Sequence, residues 1–360
     1  MTEQEAYVAF NLTEQVGSVK LTSLVGEFGS AVSAWEKYPA KVARSGGEID
    51  VEREFSLARK YGVTILTPVD KGYPASLLEL PSHPLALYVK GDIKALSKAS
   101  ISMVGTRRAT EYGLGQAYSI ARDLASSGWC VVSGLALGID AASHKGALAA
   151  GGTTVGVIGS GLDRFYPKEN SALAREIVQK GGAVITEFPF GRSPDQQTFP
   201  QRNHIVAALA KGVLAIEAPV KSGTLITTSF AAEIGRTVMA LPGPVDSHAS
   251  QGCLSLIRGG AVLVRSARDV NAEFADLFSS AVEKPRKKSV ASSEAAPAPM
   301  LSIEEALVLK HLSQDPVSLE DIATRTRLSM SKTSSVAMML RLKGLARFLP
   351  GNRIARPREA

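Results

Sequence analysis

The strongest constraint on the fold is an alternation of short apolar segments with longer helical ones between about residues 98 and 280. Helical stretches such as Gly115–Ser127, Asp140–Ala150 and Ser171–Lys180 lie between most of the apolar segments. Those segments are SISMVG (100–105), WCVVSG (129–134), TTVGVIG (153–159), AVITE (183–187), VLAIE (213–217), TVMALPG (237–243) and AVLV (261–264). Strands that are apolar throughout are buried on both faces, and helices between them cover those faces. The pattern predicts an α/β fold with a doubly wound, Rossmann-like parallel sheet.

The regions before the sheet have a different pattern. Residues 1–65 favour a helical domain, in which VGSVKLTSLVGEFGS (16–30) is typical of a helix-hairpin-helix or SAM-like element. Such an element either presents backbone N–H groups to a phosphate or only packs. The Rossmann-like domain is expected over 66–280, and its proline-rich start at 68–84 favours extended chain and turns.

The last part of the chain predicts a small separate domain. Residues 281–300, AVEKPRKKSVASSEAAPAPM, have few large apolar side chains and indicate a flexible linker. Residues 301–360 then follow the order helix, helix, turn, helix and hairpin, which is typical of a winged helix. Its last helix, Ser331–Lys343, carries Lys332 and Arg341 but no clear set of base-reading side chains. Duplex DNA and protein both remain open as its partner.

Positive charge is concentrated near the C-terminus. The net charge is +7, but residues 1–282 hold 27 basic and 26 acidic side chains, whereas residues 283–360 hold 14 and 8. A tail of one sign favours either contact with nucleic acid or solubility.

Hydropathy and cysteine content argue against several classes of protein. No uncharged apolar stretch reaches about 18 residues, so no membrane span is expected. The N-terminus MTEQEAYVAF lacks the basic and then apolar pattern of a secretory signal, which favours a cytoplasmic protein. Cys130 and Cys253 are too few for a disulfide framework or a four-thiolate zinc site.

Glycines and basic residues follow several of the predicted strands. Ligands of doubly wound sheets bind beyond the carboxyl ends of the strands, where glycine lets backbone N–H groups approach an anion and Arg or Lys supplies the counter-charge. Turn geometry alone explains glycine there, but not the basic residues in four of the loops. The candidate phosphate-binding residues are Gly105, Thr106, Arg107, Arg108, Ser133, Gly134, Gly138, Gly159, Ser160, Gly161, Lys168, Asn170, Arg202, Asn203, Ser222, Gly223 and Thr224.

The pattern of these loops argues against a bound cofactor. Arg107 takes the place of the second glycine in a dinucleotide fingerprint, and no P-loop is present. We therefore expect neither NAD nor ATP, and interpret Arg107, Lys168 and Arg202 as a groove that follows a phosphate backbone. Phe165 and Tyr166 are candidates for base stacking, or for the core.

Catalytic patterns are weak. Asp163, Glu187 and Glu217 follow strands and form either an acidic cluster for metal or hydrolysis, or partners that orient the arginines. We expect the second arrangement and no metal site. His144 follows Asp140 by one helical turn, so the two side chains either pair or serve the core.

The chain resembles the DNA-processing protein A family, DprA or Smf, over essentially its whole length. The segments that carry the resemblance are MVGTRRATEYG (103–113), SGLALGIDAASHKGAL (133–148), VIGSGLDRFYPKEN (157–170), ITEFPFG (185–191), FPQRNHIVAAL (199–209), EAPVKSGTLITTSFAAEIGR (217–236) and LPGPVDSHASQGCLSLIRGGA (241–261). The resemblance implies a homodimeric, non-enzymatic protein of natural transformation that binds single-stranded DNA and loads the RecA recombinase. It places the family's basic pocket at Arg107 and Lys168. His204 departs from the family, where a second arginine is common.

Two other functions remain as alternatives. The late Ser-Gly-Thr loop resembles that of nucleotide phosphoribohydrolases, but Thr227 stands where those enzymes carry their glutamate. A winged-helix transcription regulator is the other alternative, and it depends only on the C-terminal domain.

Overall fold

The computed structural model describes residues 1–13, 16–38, 49–195, 197–275, 302–313, 317–343, 345–349 and 353–356. The chain forms two compact units, Met1–Glu283 and Lys284–Ala360. The expected linker at 281–300 lies outside the described residues. The boundary at residues 65 and 66 stays a prediction.

A nine-stranded sheet forms the centre of the first unit, within the described residues. Its order is β1-β2-β6-β5-β4-β3-β7-β8-β9. The strands are β1 (Thr64–Leu66), β2 (Leu87–Gly91), β3 (Ser100–Val104), β4 (Cys130–Ser133), β5 (Thr154–Val157), β6 (Ala183–Thr186), β7 (Gly212–Ala215), β8 (Thr237–Ala240) and β9 (Val262–Leu263). The strands from β6 to β9 in this order are parallel, and β1 and β2 add an antiparallel edge. This confirms the expected α/β class, with an antiparallel edge that the sequence pattern did not reveal.

The order of the parallel strands fixes where a ligand can bind. The chain starts in the middle at β3, adds β4, β5 and β6 on one side, and then returns to add β7, β8 and β9 on the other. The direction of growth therefore reverses between β3 and β7. Loops that leave these two strands diverge to opposite faces, which opens a crevice beyond their carboxyl ends.

Helices cover both faces of this sheet, and two large apolar clusters fill the spaces between helices and strands. The helices of the first unit are α1 (Glu3–Asn11), α2 (Ser18–Phe28), α3 (Ala31–Lys37), α4 (Val51–Tyr61), α5 (Ala75–Leu78), α6 (Glu111–Ser126), α7 (Ile139–Ala149), α8 (Ser171–Gln179), α9 (Thr198–Leu209), α10 (Gly223–Glu233), α11 (Gln251–Arg258) and α12 (Ala267–Glu273). The longest, α6, starts at the N-cap Thr110, whose hydroxyl accepts from Gly113 N. The helices α6 and α7 pack side by side on one face.

The N-terminal helices pack on the antiparallel edge of the sheet. Val8 and Ala58 share an apolar cluster with Ile65 and Tyr88. The hairpin of α2 and α3 turns at Gly29, whose φ of +86° is left-handed and favours glycine. The N–H groups at the start of α3 are already used, because the Glu3 carboxylate accepts from Ala31 N and Val32 N at 3.1 and 3.3 Å. The start of α3 therefore serves packing, and phosphate contact elsewhere in this hairpin stays a prediction.

The second unit is a winged helix, as expected. Its helices are α13 (Ile303–Lys310), α14 (Leu319–Thr326) and α15 (Met330–Leu342), and its strands are β10 (Val317–Ser318), β11 (Arg347–Leu349) and β12 (Arg353–Ala355). The strands pair antiparallel in the order β10-β12-β11. Val308, Ile322, Leu340 and Ile354 are fully buried in its core. The turn expected at residues 350–352 lies outside the described residues.

Candidate nucleic-acid interface

A cavity of about 370 Å³ opens where the strand order reverses, between the loops that follow β3 and β7. Ten of the candidate phosphate-binding residues line it: Gly105, Thr106, Arg107, Arg108, Gly134, Arg202, Asn203, Ser222, Gly223 and Thr224. Sequence analysis had placed these residues in four separate segments. The fold brings them together.

The loop after β3 forms one wall of the cavity and carries two exposed arginines, Arg107 and Arg108. Gly105 is required there because an added Cβ would lie 2.4 Å from the side chain of Ile139. The loop is tied to the neighbouring strand end by Thr106 N, which donates to the carbonyl of Glu217 at 2.8 Å. Arg107 lies over the ring of Phe199, 4.7 Å from its centroid.

The opposite wall is the start of α10. Ser222 is the N-cap of this helix, but its side chain makes no cap hydrogen bond, and its buried Oγ has no partner. The first N–H groups of a helix lack intrahelical acceptors and carry partial positive charge. Lys221 is exposed beside them, and Thr224 is buried against the same cavity. This wall therefore offers backbone donors, a hydroxyl and an ammonium group to an anion.

Arg202 lies at the back of the cavity and is only 5% exposed. Its guanidinium donates to the carbonyl oxygens of Gly134 and Val157. Burial lowers the pKa of Arg202 to about 10, while the nearby Asp140 opposes that change. Burial raises the pKa of Asp140, and the charge of Arg202 lowers it. Arg202 is thus bonded to backbone carbonyls at the back of the cavity, and its expected contact with a phosphate backbone stays a prediction.

The loop from Gly134 to Gly138, between β4 and α7, has an unusual backbone. Leu135 has a φ of +54°, which costs a non-glycine residue roughly 1–2 kcal/mol. Gly138 has a φ of +77°, and an added Cβ there would lie 2.4 Å from the carbonyl oxygen of Thr106. The loop thus packs directly on the backbone that carries Arg107.

Seven candidate residues do not line the cavity. Three of them bind or pack within the protein: Ser133 donates to the carbonyl of Met103, Asn170 donates to the carbonyls of Leu135 and Ala136, and Gly138 packs on Thr106. The other four, Gly159, Ser160, Gly161 and Lys168, follow β5. None of these four residues lines the main cavity, because β5 lies two strands away from β3. Lys168 is exposed outside this cavity.

A smaller cavity lies between the loop after β5 and the wall that carries Arg107. It is lined by Arg107, Gly159, Tyr166, Phe199 and their neighbours. The rings of Tyr166 and Phe199 lie 5.8 Å apart at 47°, and Tyr166 is 45% exposed. Phe165, in contrast, packs against the core cluster that contains Leu135. Of the two aromatic candidates, only Tyr166 is placed at the rim.

Phe199 was missed by sequence analysis. It lies on α9 three residues before Arg202, so helical spacing puts both on one face of the helix. The three-residue spacing between Phe199 and Arg202 could therefore have identified Phe199 as a candidate from the sequence.

The acidic residues that follow strands have separate partners. Glu217 accepts from Thr110 N and Thr110 Oγ1 at 2.9 and 2.5 Å and so fixes the start of α6. Asp163 accepts from Gly191 N at 2.8 Å. Glu217 therefore orients a helix and not an arginine, which corrects the expectation for this residue. Asp163 Oδ2 also lies 3.7 Å from Arg164 Nε, as the pairing with arginines predicted. Among the residues the structure describes, no three His, Cys, Asp or Glu side chains could hold a metal ion.

The histidines near the site belong to the interior. His144 Nδ1 lies 2.7 Å from Thr154 Oγ1, and burial lowers the pKa of His144 to about 3. His144 therefore packs in the core and does not pair with Asp140. His204 faces a different cavity, where its Nε2 lies 4.0 Å from Glu187 Oε1. Burial lowers the pKa of His204 to about 4, so this side chain is neutral at pH 7.

Two basic residues of the winged helix are paired with acidic side chains, unlike Arg107 and Arg108 at the crevice. Lys332 on α15 pairs with Glu304, and Lys343 lies 2.7 Å from Glu305 Oε2. Both acids lie on α13, the first helix of this unit. The exposed side of α15 also carries Met338 and Met339, which are 49% and 47% exposed.

No helix in the described part of the chain is long and apolar enough to cross a membrane.

Fold and site together define a Rossmann-like protein with a cationic crevice at its topological switch point and an appended winged helix. The sequence matches the family of DNA recombination-mediator protein A over residues 64–275, and the DprA winged helix domain over residues 292–352. The chain belongs to the DNA recombination-mediator protein A family.

Proteins of several bacteria are similar to this chain in sequence. Protein Smf of Synechocystis sp. is 31% identical over 99% of both chains. DNA processing protein DprA of Streptococcus pneumoniae is 41% identical over 57% of this chain and 72% of that protein. The X-ray structure of the S. pneumoniae protein matches 76% of this chain and 98% of its own, with a TM-score of 0.62 and 34% identity.

A second solved structure is that of DNA processing protein A from Helicobacter pylori, described for its single-stranded DNA binding mode. It matches 60% of this chain and 97% of its own, with a TM-score of 0.55 and 29% identity.

Proposed function

We propose that this protein binds single-stranded DNA along the crevice between the β3 and β7 loops, as a DNA-processing protein of natural transformation. The observation that carries the proposal is the pairing of two kinds of anion-binding group across one cavity. Arg107 and Arg108 line one wall, and the uncapped start of α10 with Lys221 forms the other. Phosphates of one strand would contact both walls.

The aromatic rim supports a single strand over a duplex. Phe199 and Tyr166 lie beside Arg107 in the adjoining cavity. A ring can stack only on a base that is free of its complementary strand, and such stacking contributes about 1–3 kcal/mol per base. A duplex hides these base faces. The H. pylori relative, whose structure concerns single-stranded DNA binding, is consistent with this choice.

The remaining expectations complete the proposal. We propose that the protein acts in the cytoplasm as a homodimer, that it shields incoming single strands, and that it loads the RecA recombinase onto them. It would do so by binding alone, with no reaction of its own and no cofactor. The candidate residues of the loop after β5 would bind the strand beyond the main cavity, where Lys168 is exposed.

A salt series with oligothymidylate tests the proposal. With roughly three phosphate contacts, the slope of log K against log salt should be about −2 per protomer, at about −0.7 per phosphate. Arg107→Ala should lower the affinity roughly ten-fold and reduce that slope by about 0.7. Lys211→Ala is the matched control, because Lys211 is exposed at the start of β7, at the opposite end of the sheet. Equal binding by the parent and Arg107→Ala would refute the crevice as the site.

A further inference from the structure

Three buried polar side chains converge on the loop from Gly134 to Gly138, and each comes from a different element. Asn170, from the short 3₁₀ helix before α8, donates through Nδ2 to the carbonyls of Leu135 and Ala136 at 2.9 and 3.0 Å. Arg202, from α9, donates to the carbonyl of Gly134. Asp140, from α7, accepts from Ala136 N at 3.3 Å. Three consecutive carbonyls of the loop are therefore bound by side chains.

All three side chains are almost completely buried, although Arg202 and Asp140 line the back of the cavity. Asn170, Arg202 and Asp140 are 7%, 5% and 7% exposed. The position of the guanidinium also fixes its neighbour, because an added Cβ at Gly134 would lie 2.6 Å from the Arg202 nitrogens. These contacts are internal, and they hold a loop that contains the left-handed Leu135.

The loop from Gly134 to Gly138 contacts the backbone next to Arg107, so its position affects where Arg107 lies. Ile139 N donates to the carbonyl of Thr106 at 3.3 Å, and Gly138 packs against the backbone of Thr106 and Arg107. Movement of the loop would therefore move the backbone of Arg107. Gly134 and Ala136 also line the cavity themselves.

From this arrangement we infer that Asn170, Asp140 and Arg202 are positioning residues, which set the shape of the crevice and the place of Arg107 without contacting the phosphates. The inference rests on the proposed binding of single strands to this crevice. It assigns Asn170 and Arg202 a different role from direct phosphate contact, and it adds Asp140 to the residues on which binding depends.

The test separates affinity from salt dependence. A residue that contacts a phosphate contributes to the salt slope, whereas a residue that only places Arg107 changes affinity and leaves the slope nearly intact. Asn170→Ala should lower the affinity for oligothymidylate roughly ten-fold, because the hydrogen bonds of Arg107 to the strand lose their alignment while its charge stays beside the phosphates. Its slope should stay within about 0.2 of the parent, against a loss of about 0.7 for Arg107→Ala.

Ser100→Ala is the matched control for loss of a buried hydrogen bond. Ser100 is 4% exposed and donates to the carbonyl of Leu209 at 2.9 Å, at the start of β3 and so away from the crevice. All variants are compared at a temperature where thermal melting shows each to be folded. Ser100→Ala should bind like the parent. Asn170→Ser is the second positioning variant, because it leaves the net charge unchanged and removes the amide that binds two carbonyls. It decides the test if Asn170→Ala does not fold.

The outcomes are distinct. Lower affinity with an unchanged slope in the positioning variants supports the inference. Parent-like affinity in Asn170→Ala and Asn170→Ser, or a slope reduced as in Arg107→Ala, overturns it while the proposed function stands. If the parent itself binds no oligothymidylate, the proposed function fails, and the inference fails with it.

Discussion

The two units of this protein carry their positive charge in opposite ways. The first unit is close to neutral in composition, yet Arg107, Arg108 and Lys221 all lie at one cavity. The C-terminal segment holds most of the excess charge, but Lys332 and Lys343 of its winged helix are paired with acids on α13. Placement at a concave site, and not total charge, therefore identifies the stronger candidate for an anion site.

Neighbouring opposite charges in the two units also differ in their surroundings. Arg202 and Asp140 are buried together beneath the crevice, whereas Lys332 and Glu304 are 60% and 39% exposed at their side chains. Water screens an exposed pair, and its loss costs little. Removing one partner of a buried pair leaves the other charge without compensation. Removing one charged partner should therefore lower the free energy of unfolding much more in the first unit than in the second.

The largest expected effect follows from Arg202→Met. This change leaves the Asp140 carboxylate buried without its counter-charge and two carbonyls without donors, so the free energy of unfolding should fall by about 3–5 kcal/mol. Urea unfolding followed by tryptophan fluorescence measures it, because Trp35 and Trp129 both lie in the first unit.

Arg265→Met is the control for Arg202→Met, since Arg265 forms an exposed pair with Asp269 at 3.0 Å. It should leave the unfolding midpoint almost unchanged. Partial recovery of stability in the double variant Arg202→Met/Asp140→Asn would confirm that the unpaired carboxylate causes the loss. Equal midpoints for Arg202→Met and Arg265→Met would contradict the contrast between buried and exposed pairs.

A smaller effect is expected from separating the units. A protein that ends at Glu283 retains the crevice and should keep most of the affinity for single strands, with a few-fold loss because a tethered weak site raises avidity. Residues 302–360 alone should bind oligothymidylate at least about ten-fold more weakly than the full chain. Fluorescence anisotropy of the two fragments and the full chain compares them directly. If the C-terminal fragment bound as tightly as the full chain while the longer fragment did not bind, the first unit would be only a scaffold.

Sequence analysis predicted the sheet and the general place of the site because both depend on local patterns. The apolar segments 100–105 and 213–217 are buried strands whose neighbours are helices, and the glycines after them mark close approach. The winged helix was also predictable, since its capping residues are local. Ser318, for example, caps α14 by accepting from Asp321 N at 3.0 Å, three residues along the chain.

What the sequence could not predict depends on strand order. The loops after β3 and β5 both carry glycine and basic residues, and nothing local shows that only the first adjoins the reversal between β3 and β7. The burial of Arg202 was hidden for a similar reason. Its helix, α9, has buried residues on most of its surface, including Ile205 and Leu209, so apolar spacing does not indicate which way Arg202 points.

The smallest expected effects concern the pair of Lys332 and Glu304 in the winged helix. Lys332→Met should change the stability of this unit by no more than about 0.5 kcal/mol, as for other exposed pairs. It should also leave the affinity of the full chain for duplex DNA nearly unchanged, because Glu304 already neutralises the lysine.

Glu304→Gln should have the opposite consequence: it frees the ammonium group on α15 and should raise duplex affinity a few-fold at low salt, with a slope steeper by up to about 0.9. Calorimetry measures the stability, and anisotropy over a salt series measures the affinity. A large loss of duplex affinity in Lys332→Met would show that this lysine contacts DNA despite its partner, and would remove the contrast between the two units.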